Sequence, residues 1–489
     1  FDSTGYCYGP WYLLLYVSAL LHIAGAAVFV AVHRASVSRR TLTELLAVFA
    51  LAALGIAAQA VNPSVLTTGF GLSLSILAMY LTINNPCACM DSLTGLNDKQ
   101  YLLRRMDELT DAHKAFHIIT VYAYQLDHMN KVAGVQNGDE FLRRAAERMQ
   151  EIADRNVFRI SGKRFLLMTF SLREYETCLT RLRQLFHTQP DDAHAAPTPV
   201  ILCGVVNAEK LGTSGLVLDY AEYLESLVSR SGETQVIQND RKTMDSFHYN
   251  KQVEQFLHRA IAEDLFEVYY QPVYSLHQQR FVTLEALSRL RHPELGWISP
   301  DIFIRLAEKN HLITQITELQ LRRVCRFLCE NPALRASIAN VKINLSPLDL
   351  IQSESGSHLV RILGEYGLPC SCFQFEITET VATEYSASLT RVAESLQAAG
   401  IGLCLDDFGS GYANLNTVMQ LPFSVIKLDR SLLFHICTDK NAALFYQSIV
   451  SAFCRLGYRI VAEGVETQEE MELLRSWNVD MIQGYYFSR

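Results

Sequence analysis

The sequence predicts a multidomain chain in three parts: transmembrane α-helices, a mixed α/β domain, and a TIM-barrel-like (β/α) domain. Three observations carry this. The chain has 489 residues, more than one ordinary core organises, so two or three domains are expected. The segment 1–85 is dominated by apolar runs, unlike everything after it. The C-terminal half repeats strand then helix about eight times, the rhythm of a closed barrel of parallel strands.

Composition narrows the function classes. A net charge of -8 excludes a nucleic-acid binder that works through a broad basic face, and leaves room for a small anion held by a metal. The twelve cysteines include the pairs Cys87/Cys89 and Cys370/Cys372 but no C-x-x-C. Others, such as Cys404 and Cys454, stand singly in apolar stretches and read as reduced, buried thiols.

Within 1–85, three apolar runs at about 11–33, 43–61 and 65–84 approach the ~20 residues that cross a bilayer, and none shows a polar face. The connection after the first carries Arg34, Arg39 and Arg40 against Glu44, a bias that stays cytoplasmic. Three crossings then place everything after Asn84 inside. The chain opens at Phe1 without a basic flank, so a longer membrane sensor is expected, and His22 within the first run is a candidate intramembrane group.

The segment 86–240 reads as one α/β domain. Helical spacing covers 101–109 and 138–152, and short strands are expected at 117–124, 165–170 and 200–206. The stretch 189–199, with three prolines, is expected to be an exposed loop.

Asp91-Ser92-Leu93-Thr94-Gly95-Leu96 opens this segment, followed by Asn130, Gly134, Gly138-Asp139 and Leu142. This series resembles GGDEF domains, whose active members condense two GTP molecules into cyclic di-GMP. The signature hairpin should fall at Arg159-Ile160-Ser161-Gly162-Lys163-Arg164-Phe165, where only the second glycine and the phenylalanine survive. Tyr122 stands where active members carry a metal-binding aspartate, and Lys163-Arg164 replace the signature Asp-Glu pair. Magnesium needs hard carboxylate oxygens, which these residues do not supply, so the resemblance implies a degenerate domain without cyclase activity. Ile152 and Arg155 likewise replace the product-inhibition motif. Two roles remain open: a GTP sensor, with Asn130, Asp139, Lys163 and Arg164 as contacts, or a relay and dimerisation module that binds nothing.

The last domain, 241–489, begins with a polar helix-like segment. Strands are expected at 266–270, 281–287, 340–344, 372–377, 402–405, 425–428, 459–462 and 481–486, with amphipathic helices at 316–328, 388–399 and 442–456 among them. Glu285, Asn344, Glu376, Asp406, Asp407 and Glu463 fall near strand ends, where such barrels keep their chemistry. A ring of hard oxygen donors points to a metal-dependent hydrolase.

The segment from about 247 to the end resembles EAL domains, the bacterial cyclic di-GMP phosphodiesterases. Beyond Glu285-Ala286-Leu287, the ordered set comprises Tyr270-Gln271-Pro272, Arg289, Asn344-Leu345-Ser346, Glu376-Ile377-Thr378-Glu379, Asp406-Asp407-Phe408-Gly409-Ser410-Gly411-Tyr412, Lys427-Leu428-Asp429, Ala462-Glu463-Gly464-Val465-Glu466 and Gln483-Gly484-Tyr485. The resemblance implies a two-metal site for Mg2+ or Mn2+: Glu285, Asn344, Glu376 and Asp406 on the first ion, Asp406 and Asp407 on the second. It implies that Lys427 orients the attacking water or offsets phosphate charge, and that Glu463 acts as general base or holds that water. Asp429 and Glu466 would support these groups, Gln483 would contact water or substrate, and Arg289 would grip a phosphate, with Gln271 and Leu287 beside the substrate. Glu379 would hold a mobile loop at 407–415 that couples dimerisation to metal binding.

The expected protein is thus a homodimeric, multi-pass enzyme of the bacterial inner membrane that linearises cyclic di-GMP to pGpG, with GTP a possible regulator. The competing class is a receptor that binds cyclic di-GMP without cutting it.

Overall fold

The computed structural model describes residues 17–18, 21, 24–25, 49–58, 73–74, 89–187, 199–228, 233–351, 355–410 and 419–487. It divides into two compact units, Phe1–Met244 and Asp245–Arg489.

The expectation of three membrane-spanning helices, and with it the inner-membrane placement and the membrane as partner, is corrected. Among the described residues no helix is long and apolar enough to cross a membrane. The longest described run in that region, residues 49–58, is helical. Most of the three expected spans, His22 and residues 189–198 of the expected loop lie outside the described residues, while Pro199 is buried.

The first unit contains a six-stranded sheet built from β1 (Asn97–Asp98), β2 (His117–Tyr122), β3 (Val157–Ser161), β4 (Arg164–Thr169), β5 (Ile201–Val205) and β6 (Gln235–Gln238), in the order β1-β3-β4-β2-β5-β6. Central strand β2 pairs antiparallel with both β4 and β5 and is buried along its length apart from half-buried Tyr122. Burial on two faces explains why apolar residues stand on both, Ile118 beside Ile119, with His117 and Thr120 buried among them. Helices Lys99–Asp111 and Val135–Ala153 overlap the expected spans. Helices Leu126–Ala133, Leu172–His187 and Ser214–Ser226 were not among the expected elements.

The second unit is a closed barrel. Its strands are β7 (Phe266–Ser275), β8 (Arg280–His292), β9 (Gly296–Ile298), β10 (Asn340–Asn344), β11 (Phe373–Thr378), β12 (Gly402–Phe408), β13 (Phe423–Leu428), β14 (Arg459–Ala462) and β15 (Met481–Ile482). They run β10-β11-β12-β13-β14-β15-β7-β8-β9, and pairing of β10 with β8 closes the ring. The barrel is not wholly parallel as expected: β7 is antiparallel to both β8 and β15. Only residues 276–279 separate β7 from β8, too few for the crossover that a parallel pair requires.

Alternation along the strands makes two cores. Outward residues such as Ile343, Phe375, Leu405, Ile426 and Leu428 pack with Leu321, Leu396, Tyr446 and other helix residues in a large buried cluster. Inward residues Val273, Val282, Cys404, Val425, Val461 and Met481 form a separate apolar plug inside the ring. This plug gives a dry floor beneath the polar residues one step further along the same strands.

Candidate active site at the barrel mouth

Step two residues on from the plug and each strand delivers a polar group. Cys404 is followed by Asp406 on β12, Val425 by Lys427 on β13, Val461 by Glu463 just after β14, and Met481 by Gln483 just after β15. Opposite them stand Glu285 on β8, Asn344 at the end of β10 and Glu376 on β11.

Lys427 is the centre. Its Nζ lies 2.8 Å from Glu463 Oε1, 2.9 Å from Asp406 Oδ1, 3.1 Å from Glu285 Oε2 and 3.3 Å from Glu376 Oε2. Only 1% of its side chain is exposed. Burial works against its charge, yet Asp406, Glu285, Glu376 and Glu463 together hold its pKa well above the usual lysine range. A buried cation is tolerable only when paired in this way.

The carboxylates are tuned apart. Burial alone would raise Glu285, but Lys427, the Gln483 amide and Lys342 overcome it and hold the carboxyl at about 2. Burial pushes Glu376 up to about 7 despite Lys342 and Lys427. It pushes Glu463 up to about 8, with Asp406 and Glu285 adding to the rise and Lys427 opposing it. Asp407 rises to about 6, through burial and then the neighbouring Asp406.

A backbone irregularity brings the adjacent aspartates to one mouth. Leu405 pairs with Ile426 and Phe408 with Leu428, so β12 carries one residue more than β13 across this stretch. The extra residue is accommodated by Asp407 at φ 56°, in the left-handed region. Such a bulge re-aims a side chain that strict alternation would send to the far face. Asp407 and Phe408 therefore belong to β12 rather than to the expected loop, of which residues 411–415 lie outside the described residues. Gly409 donates its N–H to Glu379 Oε2 at 2.8 Å, which ties the strand end to helix Glu379–Glu384.

Two carboxylate groups suit a cation: Glu285, Glu376 and Asp406, then Asp406, Asp407 and Glu463, each with one oxygen per residue within 4.8 Å of the others. Asp406 belongs to both. Asn344 donates to Glu285 Oε1 at 3.2 Å. Gln483 donates to Glu285 Oε2 at 2.7 Å and to Gln271 Oε1 at 3.0 Å, while its own Oε1 is buried without a partner. Hard oxygens, a shared aspartate and an orphaned amide oxygen fit Mg2+ or Mn2+.

Other expected site residues stand further off. Asp429 caps helix Arg430–Leu433 by accepting from the Ser431 N–H, and Glu466 pairs with Arg430 at 2.8 Å. Arg289 bonds only the Ser288 carbonyl among the described residues, and half-buried Leu287 precedes it on β8. Sequence reasoning missed Lys342, a fully buried second lysine whose Nζ donates to Glu376 Oε1 at 3.0 Å. Its signal was available, because it sits two residues before Asn344 on an inward-facing strand position.

In the first unit, Arg164 forms a bidentate pair with Glu225 at 2.8 and 2.9 Å, meets Glu222 at 3.0 Å, and stacks 4.8 Å from the Tyr122 ring centroid. Lys163 pairs with Asp127. Asn130 keeps a buried Oδ1 without a partner, and Asp139 is half-buried on helix Val135–Ala153.

An α/β sheet domain followed in sequence by a barrel with a carboxylate-rich mouth is the class that fold and site define. Comparison with known proteins is specific: the diguanylate cyclase GGDEF domain pattern matches residues 88–218 and the EAL domain pattern residues 254–489. The chain carries these two domains in tandem. It is 27% identical over 420 residues to the cyclic di-GMP phosphodiesterase NbdA of Pseudomonas aeruginosa, covering 82% of this chain and 52% of that protein. A second cyclic di-GMP phosphodiesterase of that organism is 28% identical over 424 residues, covering 82% of this chain and 69% of the relative. The chain spans about half the length of the first of the curated relatives it matches. Among solved structures, the Vibrio cholerae LapD S helix-GGDEF-EAL protein bound to c-di-GMP has the same fold, at TM-score 0.55 and 16% identity, covering 85% of this chain and all of that one.

Proposed function

We propose that the EAL barrel hydrolyses cyclic di-GMP to linear pGpG. The observation that carries this reading is Lys427 ringed by four carboxylates that, together with Asp407, form two overlapping groups able to hold a cation. Two phosphodiesterases among the relatives support the substrate.

Glu285, Asn344, Glu376, Asp406 and Asp407 would hold Mg2+ or Mn2+. When bound, such ions supply a water acidic enough to attack at neutral pH and offset charge on the phosphate. The protein's own groups prepare that attack. Glu463, held 2.8 Å from Lys427 at the mouth, accepts the proton of the attacking water. Lys427 keeps the crowded carboxylates from repelling one another and offsets phosphate charge as the diester opens. Gln483 fixes the rotamer of Glu285 through its 2.7 Å bond. Arg289, without a carboxylate partner among the described residues, grips a phosphate.

The GGDEF domain makes no cyclic di-GMP in this reading, because Tyr122, Lys163 and Arg164 offer no carboxylate where its metal would bind. GTP regulation would work through Asn130, whose orphaned Oδ1 suits a base N–H, since Lys163 and Arg164 already hold acidic partners. Homodimerisation through the loop that Glu379 anchors belongs to the same proposal.

The test is chromatography of pGpG after incubating the chain with cyclic di-GMP and Mg2+ or Mn2+, with a chelator control. Metal-dependent pGpG is expected. Binding without product under every metal condition would replace the enzyme with a receptor.

A further inference from the structure

Strand alternation continues the site outward from the metal ligands. Glu285, Leu287, Arg289 and Arg291 share one face of β8, and its neighbours add residues to that face by register. On β7, Gln271 stands opposite Glu285 and Tyr269 opposite Leu287. On β9, Trp297 stands opposite Arg291. Arg289 is therefore flanked by two aromatic rings, about 13 Å along the strand from Glu285 at about 3.3 Å per residue.

Both rings are open to solvent, Tyr269 at 48% and Trp297 at 50% exposure, although each is large enough to favour burial. They meet edge to face with centroids 6.0 Å apart. Arg289 lies 5.8 Å from the Tyr269 centroid and Arg291 5.8 Å from that of Trp297. Together with Ile298, Ser299 and Pro300, Tyr269, Arg289 and Trp297 line a pocket of about 490 Å³. That volume falls in the range of small-ligand sites.

We propose that Tyr269 and Trp297 form a stacking subsite for one guanine base of the substrate, beside a phosphate held by Arg289. This rests on the reading of cyclic di-GMP as the substrate. A purine suits the pocket on three counts. Its flat face matches an exposed aromatic ring, and its carbonyl edge can accept from a guanidinium. The pocket continues the face that carries Glu285, so a diester phosphate at the carboxylates leaves its base on the outward side. A surface aromatic pair that served only to stabilise the barrel would be buried against a helix, as Tyr270 is against Phe327 at 4.2 Å on the opposite face of β7.

Steady-state kinetics on the full chain test this with Trp297→Ala, Trp297→Phe and Tyr269→Ala. Either alanine variant should raise KM for cyclic di-GMP between about five- and a hundredfold with kcat little changed, the range that ~1–3 kcal/mol of stacking gives at about 1.4 kcal/mol per tenfold. Trp297→Phe should restore most of the loss, since a ring returns. An unchanged KM, or a fall in kcat that matches the fall in kcat/KM, overturns the subsite. Calorimetric binding of cyclic di-GMP to Glu463→Gln, with and without Trp297→Ala, separates the two readings. If the unmodified chain cuts nothing but Trp297→Ala still weakens binding, the subsite stands and the phosphodiesterase reading falls. Equal affinity in both proteins removes the subsite whatever the activity.

Discussion

Lys427 Nζ and Glu463 Oε1 lie 2.8 Å apart in a space where the lysine side chain is only 1% exposed. The contact joins the ends of neighbouring parallel strands β13 and β14, so it is built by register and not by a flexible loop. Its consequence is electrostatic. Lys427 is the cation closest to four carboxylates at once, and Lys342 reaches only Glu376 among them.

Replacing Lys427 with methionine keeps the volume and removes that charge. Uncompensated buried carboxylates cost ~3–5 kcal/mol, so thermal unfolding of Lys427→Met in chelator should shift down by several degrees. Adding Mn2+ should recover much of the shift, because a divalent ion neutralises the same oxygens. Turnover of cyclic di-GMP should fall at least a hundredfold. A Tm that Mn2+ does not move would disconnect Lys427 from the cation-binding groups.

Glu463→Gln retains the shape and the contact with Lys427 but cannot accept a proton at neutral pH. General-base removal costs about 10²–10⁴-fold in rate. The expected outcome is loss of pGpG formation with Kd for cyclic di-GMP changed by less than tenfold. Turnover within a few-fold of the unmodified chain would remove Glu463 from the chemistry.

Much of the barrel could be read in advance, for a physical reason. Residues 340–344 and 459–462 are short strand-like runs that end at or just before a polar group, Asn344 and Glu463, and both appear with those bounds as β10 and β14. What escaped reading depends on partners remote in sequence. The antiparallel β7 depends on hydrogen bonds to β15, some 200 residues away, although its four-residue link to β8 was a local clue. The turn of Asp407 into the mouth follows from a register slip against β13, invisible in either strand alone. The expected spans of 1–85 fall mostly outside the described residues, among which no helix is long and apolar enough to cross a membrane.

Arg164 is held in a structural role. Its guanidinium clamps Glu225, which is 9% exposed. Arg164→Ala strands that carboxylate, at a cost of ~1–3 kcal/mol, and should lower the first unit's unfolding temperature without creating or abolishing nucleotide turnover. Pulse proteolysis of the full chain would read the change, and unaltered protection would show the clamp to be dispensable.

Stability should depend on pH through Asp349. Its carboxylate accepts from the Ser346 N–H and the Thr317 hydroxyl, both at 3.0 Å. Burial raises its pKa from 3.8 to about 6, with Glu308 adding to the rise. The folded state thus binds this proton more tightly than the unfolded one. The stabilising contribution is complete below 3.8 and disappears as pH climbs through about 6. At about 1.4 kcal/mol per unit the swing is roughly 2–3 kcal/mol. Asp349→Asn does not ionise, and its amide oxygen can accept both hydrogen bonds. Urea unfolding at pH 5 and pH 8 should therefore show a smaller pH dependence in the variant, and identical slopes would assign the dependence to other groups.

Gly484 is where backbone meets backbone beneath the site. A Cβ there would lie 2.2 Å from the Val465 carbonyl oxygen and 2.4 Å from its nitrogen. Neither atom can retreat. The Val465 N–H donates to the Gln483 carbonyl at 3.1 Å, and its carbonyl accepts from Tyr486 at 3.0 Å. Alanine must push the Gln483 strand end away from the segment that carries Glu463. Overpacking of this kind costs ~1–3 kcal/mol, and the displacement weakens the 2.7 Å bond by which Gln483 orients Glu285. Gly484→Ala should lower Tm and reduce Mn2+ affinity together, whereas Gly457→Ala, in a left-handed turn with nothing within 4 Å of the added carbon, should lower Tm alone. Equal Mn2+ binding in the two variants would break the link from Gly484 through Gln483 to the carboxylates.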